Sequence, residues 1–126
     1  MKTAMQLSVM LPNHPGALAR MTDILRAANV NIEALYCTEG ADQTGVHIVV
    51  DDPETGKMVL RDLGEVSAKE VLAIPIKNKP GAIAHIARMC AGAGINIQQI
   101  YATSFGKDAM MYLEVDDLQK AMKAVK

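Results

Sequence analysis

The sequence predicts an α+β fold in which two similar units follow one another, each an antiparallel sheet with helices on one face. Three observations carry this. The chain matches itself without a gap when shifted by 65 positions, with ten identities between residues 13–38 and 78–103. Short segments of alternating polarity read as strands. Between them lie segments with apolar residues at helical spacing, bounded by helix-start and helix-stop residues.

The repeat is densest at its turns. Asn13-His14-Pro15-Gly16-Ala17-Leu18-Ala19 falls on Asn78-Lys79-Pro80-Gly81-Ala82-Ile83-Ala84. Asn29-Val30-Asn31-Ile32 falls on Gly94-Ile95-Asn96-Ile97, Tyr36-Cys37-Thr38 on Tyr101-Ala102-Thr103, and Val50-Asp51-Asp52 on Val115-Asp116-Asp117.

Each element follows in order. Residues 6–11 alternate Leu7, Val9 and Leu11 with Gln6, Ser8 and Met10, the pattern of a half-buried strand. Residues 13–16 break it, and Pro15 suits a helix's first turn, where its missing N–H costs nothing. The helix runs to about Ala28 with Leu18, Met21, Leu25 and Ala28 as its inner stripe and Ile24 beside it. Asn29, and Gly94 in the second copy, stand where a left-handed residue ends a helix. Residues 31–38 form a second strand, 39–45 a turn and 46–51 a third strand. Asp52 then caps a second helix with Pro53 at its first position, ending near Leu63-Gly64. Val66 to Ala68 is a short fourth strand that runs into residues 71–76, the first strand of copy two. This is the split βαβ, ferredoxin-like plan, βαββαβ. Lys126 aligns with Arg61, so the second copy lacks its last strand. The expected units are residues 1–69 and 70–126, the second C-terminally short. An unpaired edge calls for a cover, such as a second chain.

Composition sets the outer limits. Of 126 residues 50% are hydrophobic and 3% aromatic, so the core is aliphatic, with nine Met as adaptable filler. A net charge of −1 and so few aromatics speak against nucleic-acid binding. The expectation is a cytoplasmic protein: no apolar run approaches the roughly 20 residues of a membrane span, and the start lacks a signal peptide's apolar stretch. Residues 1–65 carry net −4 and residues 66–126 net +3, which weakly favours docking of unlike copies.

Asn-x-Pro-Gly-Ala-Leu/Ile-Ala, followed at fixed distance by Val/Ile-Asn-Ile, resembles the ACT domain, and the likeness spans both copies. The resemblance implies a non-enzymatic regulatory module that binds a small molecule, an amino acid foremost, and pairs its sheets side by side, here in a homodimer. It further implies control of another protein, with no cofactor. Elementary chemistry agrees. A strand-to-helix loop presents unpaired N–H groups at a helix start, which suit a carboxylate. Gly16 and Gly81 admit a ligand close to the backbone, and Asn13 and Asn78 offer amides. Two sites are expected. One uses Asn13, Gly16 and Ala17 with Asn96 opposite; the other uses Asn78, Gly81 and Ala82 with Asn31 opposite. His14 against Lys79 makes the two loops differ in charge.

Blander readings attach to the same residues. Asn13 and Asn78 also suit helix capping, and Asn29 and Asn31 a tight turn. Cys90 aligns with Leu25 and is expected in the core; Cys37 is expected buried on its strand. Asp51-Asp52 and Asp116-Asp117 read as helix starts rather than catalytic pairs. Cys37, His47, His85 and Cys90 have no metal-site spacing. A sheet face with Tyr36, Tyr101, Tyr112, Met10, Val49 and His47 suits packing or dimerisation. The competing function is a protein-interaction module without ligand binding. No nucleophile–base set or phosphate loop supports an enzyme.

Overall fold

A computed structural model describes residues 2–125. The elements are β1 (Lys2–Pro12), α1 (Ala17–Ala27), β2 (Ile32–Glu39), β3 (Gln43–Val50), α2 (Pro53–Leu60), β4 (Val66–Lys77), α3 (Ala82–Gly92), β5 (Ile97–Phe105), β6 (Asp108–Val115) and α4 (Leu118–Ala124), with a 3₁₀ turn at Arg61–Leu63. This is the expected α+β pattern. The chain divides into two compact units, Met5–Lys69 and Met1–Ala4 with Glu70–Lys126.

In the Met5–Lys69 unit the strands run β2-β3-β1, with the Val66–Lys69 stretch of β4 beyond β1. β1 and β3 are antiparallel from Gln6↔Val49 to Pro12↔Gln43. This register puts Leu7 opposite Ile48 and Val9 opposite Val46, so one sheet face is aliphatic. Leu7, Val9, Leu11, Val46, Ile48 and Val50 meet Met21 and Leu25 of α1 and Leu60 of α2 in one core. Two of the four residues of the expected α1 stripe, Met21 and Leu25, are fully covered. Leu18 is the correction: it is 42% exposed, while its neighbour Ala17 packs against the core. The aspartate expectation holds: Asp52 Oδ1 accepts the N–H of Thr55 at 3.2 Å and caps α2.

The second unit repeats this plan with β5-β6-β4. Among the described residues α4 is the last element. The Lys2–Ala4 stretch of β1 lies beyond β4 in this unit, and Thr3 Oγ1 donates to Glu70 Oε2 at 3.0 Å. Its core joins Leu72, Ile74, Met111, Leu113 and Val115 of the sheet to Ile86 and Cys90 of α3 and Ala121 of α4. Even the irregularities are duplicated. A register shift lies between Ile32 and Ala34 of β2 and between Ile97 and Gln99 of β5, 65 positions later.

Three local readings change. The short strand at 66–68 and the one at 71–76 are a single strand, β4, of 12 residues. Pro15 precedes α1 rather than opening it, since Gly16, in the left-handed region at φ 92°, is the residue before the first helical turn. Cys37, expected buried, is exposed. It pairs with Val46, a core residue, but it stands on β2, the outer strand of its unit.

Candidate functional site

The two strand-to-helix loops are built alike. Asn13 donates its peptide N–H to Asp42 O at 3.0 Å and its side-chain Nδ2 to Gly40 O at 3.0 Å. Asn78 donates its N–H to Lys107 O at 2.8 Å and Nδ2 to Gly106 O at 2.9 Å. Each asparagine thus ties the loop to the hairpin turn of its own repeat. Neither caps a helix: the residues before α1 and α3 are Gly16 and Gly81, and no side chain bonds the first-turn N–H groups. Both glycines are left-handed, at φ 92° and 88°, and a Cβ at either would meet nothing within 4 Å. They are there for the backbone turn and for open space in front of the helix start.

In the second unit a cavity lies beside this loop. It holds about 180 Å³ and is lined by Lys77, Asn78, Lys79, Ala82 and Ile83 of the loop and helix, with Ala102, Ser104, Ala109 and Ile76 from the strands. Three of the residues expected in this site, Asn78, Lys79 and Ala82, therefore come together, with Gly81 between them. Lys77 is partly engaged, its Nζ lying 3.0 Å from Asp108 Oδ1. In the first unit Asn13, His14, Gly16 and Ala17 occupy the same loop, and His14 Nδ1 is 3.0 Å from Pro15 O. The strand residues Ala102, Ser104 and Ala109 were not in the expected set. The repeat's register offers a partial signal for them, since β5 is the strand that flanks the loop's hairpin turn.

Asn31 and Asn96 lie elsewhere in their repeats. Asn31 donates its peptide N–H to Asp51 Oδ1 at 2.9 Å and accepts the Asp51 N–H on its carbonyl at 3.1 Å. Asn96 and Asp116 repeat this at 3.1 and 3.2 Å. These corners sit at the opposite end of β3 or β6 from the turn that holds Asn13 or Asn78, so no repeat brings its own two asparagines together. The Asn31 corner borders a polar depression of about 420 Å³ with Thr22, Arg26, Asn29 and Asp51. Asn29 is left-handed at φ 59°, as its place at a helix end requires. Of each expected helix-start pair only the second aspartate caps a helix, Asp52 and Asp117, while Asp51 and Asp116 hold Asn31 and Asn96.

On the other sheet face Tyr36 stacks on His47 at 4.5 Å, and His47 Nδ1 lies 2.7 Å from Ser8 Oγ. In the second unit Tyr101 stacks on Tyr112 at 5.2 Å. Val49 and Tyr112 are already buried within the chain, so of the expected contact face Met10 is the member left half exposed. Among the described residues no group of three His, Cys, Asp or Glu could hold a metal ion. Among the described residues no helix is long and apolar enough to cross a membrane.

Comparison with known proteins fits this geometry. A family model described as an ACT domain pair matches residues 2–126. Protein BT0572 from Bacteroides thetaiotaomicron is 28% identical, with a TM-score of 0.92 over 97% of this chain and 85% of that one. The ligand-free regulatory subunit of aspartate kinase from Thermus thermophilus shares the fold at 15% identity and a TM-score of 0.74, covering 99% of this chain and 95% of that one. Aspartate kinase from Synechocystis contains the same fold at 19% identity and a TM-score of 0.66, over 97% of this chain and 24% of that one. No curated protein matches significantly.

Proposed function

Since this chain belongs to the ACT domain pair family, we propose that it is a non-catalytic regulatory protein that binds a small zwitterion, an amino acid, at its strand-to-helix loops. The observation that carries this reading is the cavity of about 180 Å³ at the start of α3. Its volume suits a ligand smaller than the roughly 300–1,000 Å³ of drug-sized sites. The uncapped N–H groups of the first helical turn suit a carboxylate, and the Lys79 ammonium adds to the same field. With Nδ2 of Asn78 committed to Gly106, its Oδ1, an acceptor only, suits an ammonium. Asn78, Lys79, Gly81 and Ala82 form the first proposed set, and Asn13, His14, Gly16 and Ala17 the equivalent one. Asn31 and Asn96 stay in the proposal, because Asp51 and Asp116 hold their peptide N–H groups and a ligand would meet the side-chain amides.

In this reading the ligand shifts a domain or subunit arrangement, in a homodimer and in the cytoplasm, and a second protein senses the change. It does so only through different affinities for the two arrangements. Thermal melts of the full chain against the twenty amino acids are the test. A true ligand at 100 times its Kd adds about 2.7 kcal/mol, and Asn78→Ala or Asn13→Ala reduces that gain. If no amino acid raises the melting temperature, the reading fails.

A second reading is a protein-interaction module without ligand binding. Phe105, the single Phe of the chain, favours it: it is 93% exposed at the β5–β6 turn. A hetero-partner retained through purification of the full chain, and released by Phe105→Ser, would select it.

A further inference from the structure

The two repeats share one backbone corner and differ in what surrounds it. In the first, α1 ends, the left-handed Asn29 turns the chain, and Asn31 and Asp51 hold each other through two hydrogen bonds. Asn96 and Asp116 repeat these bonds in the second. A shift of 65 positions carries Thr22, Arg26 and Asn29 onto Ala87, Ala91 and Gly94. The corner therefore folds without these three polar side chains. Gly94, at φ 71°, turns the second copy as Asn29 turns the first.

Thr22, Arg26 and Asn29 line one depression of about 420 Å³ together with Asn31 and Asp51, all within the Met5–Lys69 unit. Much of their hydrogen-bonding capacity is unspent. Among the described residues no protein group engages the side-chain amide of Asn29 or Asn31. Arg26 gives its Nε to Asp23 at 3.3 Å, a weak pair between two exposed side chains, and the rest of the guanidinium fork remains to donate. Thr22 spends its hydroxyl proton on the carbonyls of Leu18 and Ala19, which leaves its oxygen as an acceptor. Asp51 Oδ1 receives the Asn31 N–H, and Oδ2 is left to accept. In the second repeat Lys120 reaches this place instead, its Nζ 3.6 Å from the position of a Cβ on Gly94.

We propose that this depression is a ligand site of the first repeat alone, and that its ligand is an amino acid with a polar side chain. Arg26 takes the carboxylate. Asp51 Oδ2 and Thr22 Oγ1 take the ammonium. The amides of Asn29 and Asn31, which both donate and accept, read the side chain. The proposal rests on the reading of the chain as a binder of a small zwitterion and sharpens it. It assigns Thr22, Arg26 and Asn29, which lie outside the strand-to-helix loops, and it makes the two repeats unequal, with one ligand per chain.

Calorimetric titration of the full chain with serine, threonine, asparagine, glutamine, aspartate and glutamate, and with leucine for contrast, is the test. One of the polar amino acids is expected to bind at a single site per chain, with leucine about tenfold weaker or more. Arg26→Ala and Asn29→Gly are each expected to weaken that binding about tenfold or more, and Asn96→Ala to leave it unchanged. In the isotope-labelled chain the side-chain amide signals of Asn29 and Asn31 shift on saturation, and those of Asn96 do not. Alanine and glycine are the residues with which the second repeat folds at these positions, and circular dichroism of the variants checks that lost binding is not lost structure. Native affinity in both variants, two equal sites per chain, or binding of leucine alone would overturn the proposal and leave the broader reading standing. Silence of every polar amino acid also overturns it, whereas the broader reading fails only when all twenty leave the melting temperature unchanged.

Discussion

Asn78 donates its side-chain amide to the carbonyl of Gly106 at 2.9 Å, and Asn13 makes the same bond to Gly40 at 3.0 Å. The most conspicuous residue of the repeated motif is thus a tether between two turns of one repeat, not a helix cap. Asn78→Ala removes one neutral, partly solvated hydrogen bond, so urea unfolding is expected to lose about 0.5–1.5 kcal/mol. Asn78→Asp keeps the shape but not the donor and is expected to lose a similar amount. A loss near zero for both would mean that the tether is dispensable.

Asp117 Oδ1 accepts the Lys120 N–H at 3.0 Å at the start of α4, as Asp52 does for α2. Asp117→Ala is expected to cost about 1 kcal/mol, the usual loss of an N-cap, and Asp117→Asn much less. Chemical denaturation of the two variants separates the cap from the charge.

The hydroxyl and then the N–H of Thr55 hold the Asp52 carboxylate and lower its pKa below the ordinary 3.8. A depressed native pKa stabilises the fold above the unfolded value, and that stability disappears as pH falls through the native one. The acid limb of a stability–pH curve below about pH 4 is therefore expected to flatten in Asp52→Asn. An unchanged limb would remove Asp52 from the acid response.

Gly16 and Gly81 sit at φ 92° and 88° with no atom within 4 Å of a built Cβ. Gly81→Ala meets no clash, so its cost is the left-handed backbone alone, about 1–2 kcal/mol. The variant is expected to retain its fold with a lower melting temperature. A neutral result would show that the loop relaxes to another conformation.

Cys37 is exposed and Cys90 buried, and burial pushes the Cys90 thiol pKa up. An alkylating reagent at neutral pH is expected to label Cys37 within minutes and Cys90 only on unfolding. Mass spectrometry of a timed labelling series reads both. Equal rates would contradict the packing of Cys90 against Leu113 and the rest of its core cluster.

Much of this protein was legible in its residues. The 65-residue shift, the aliphatic alternation of residues 6–11 and the Asp-capped second helices are local signals. Local geometry carries them through unchanged, as the duplicated shift at Ile32/Ala34 and Ile97/Gln99 shows. Periodicity also identified the buried positions Met21, Leu25 and Cys90. It could not say that Leu18 and Cys37 stay exposed, because exposure depends on which elements pack beside them. Nor could it say that Asn13 and Asn78 spend their amides on Gly40 and Gly106, or that Asp51 and Asp116 receive Asn31 and Asn96. Those bonds join residues 20 to 28 positions apart. Only the folded sheet, by fixing which turn stands beside which, decides such pairings.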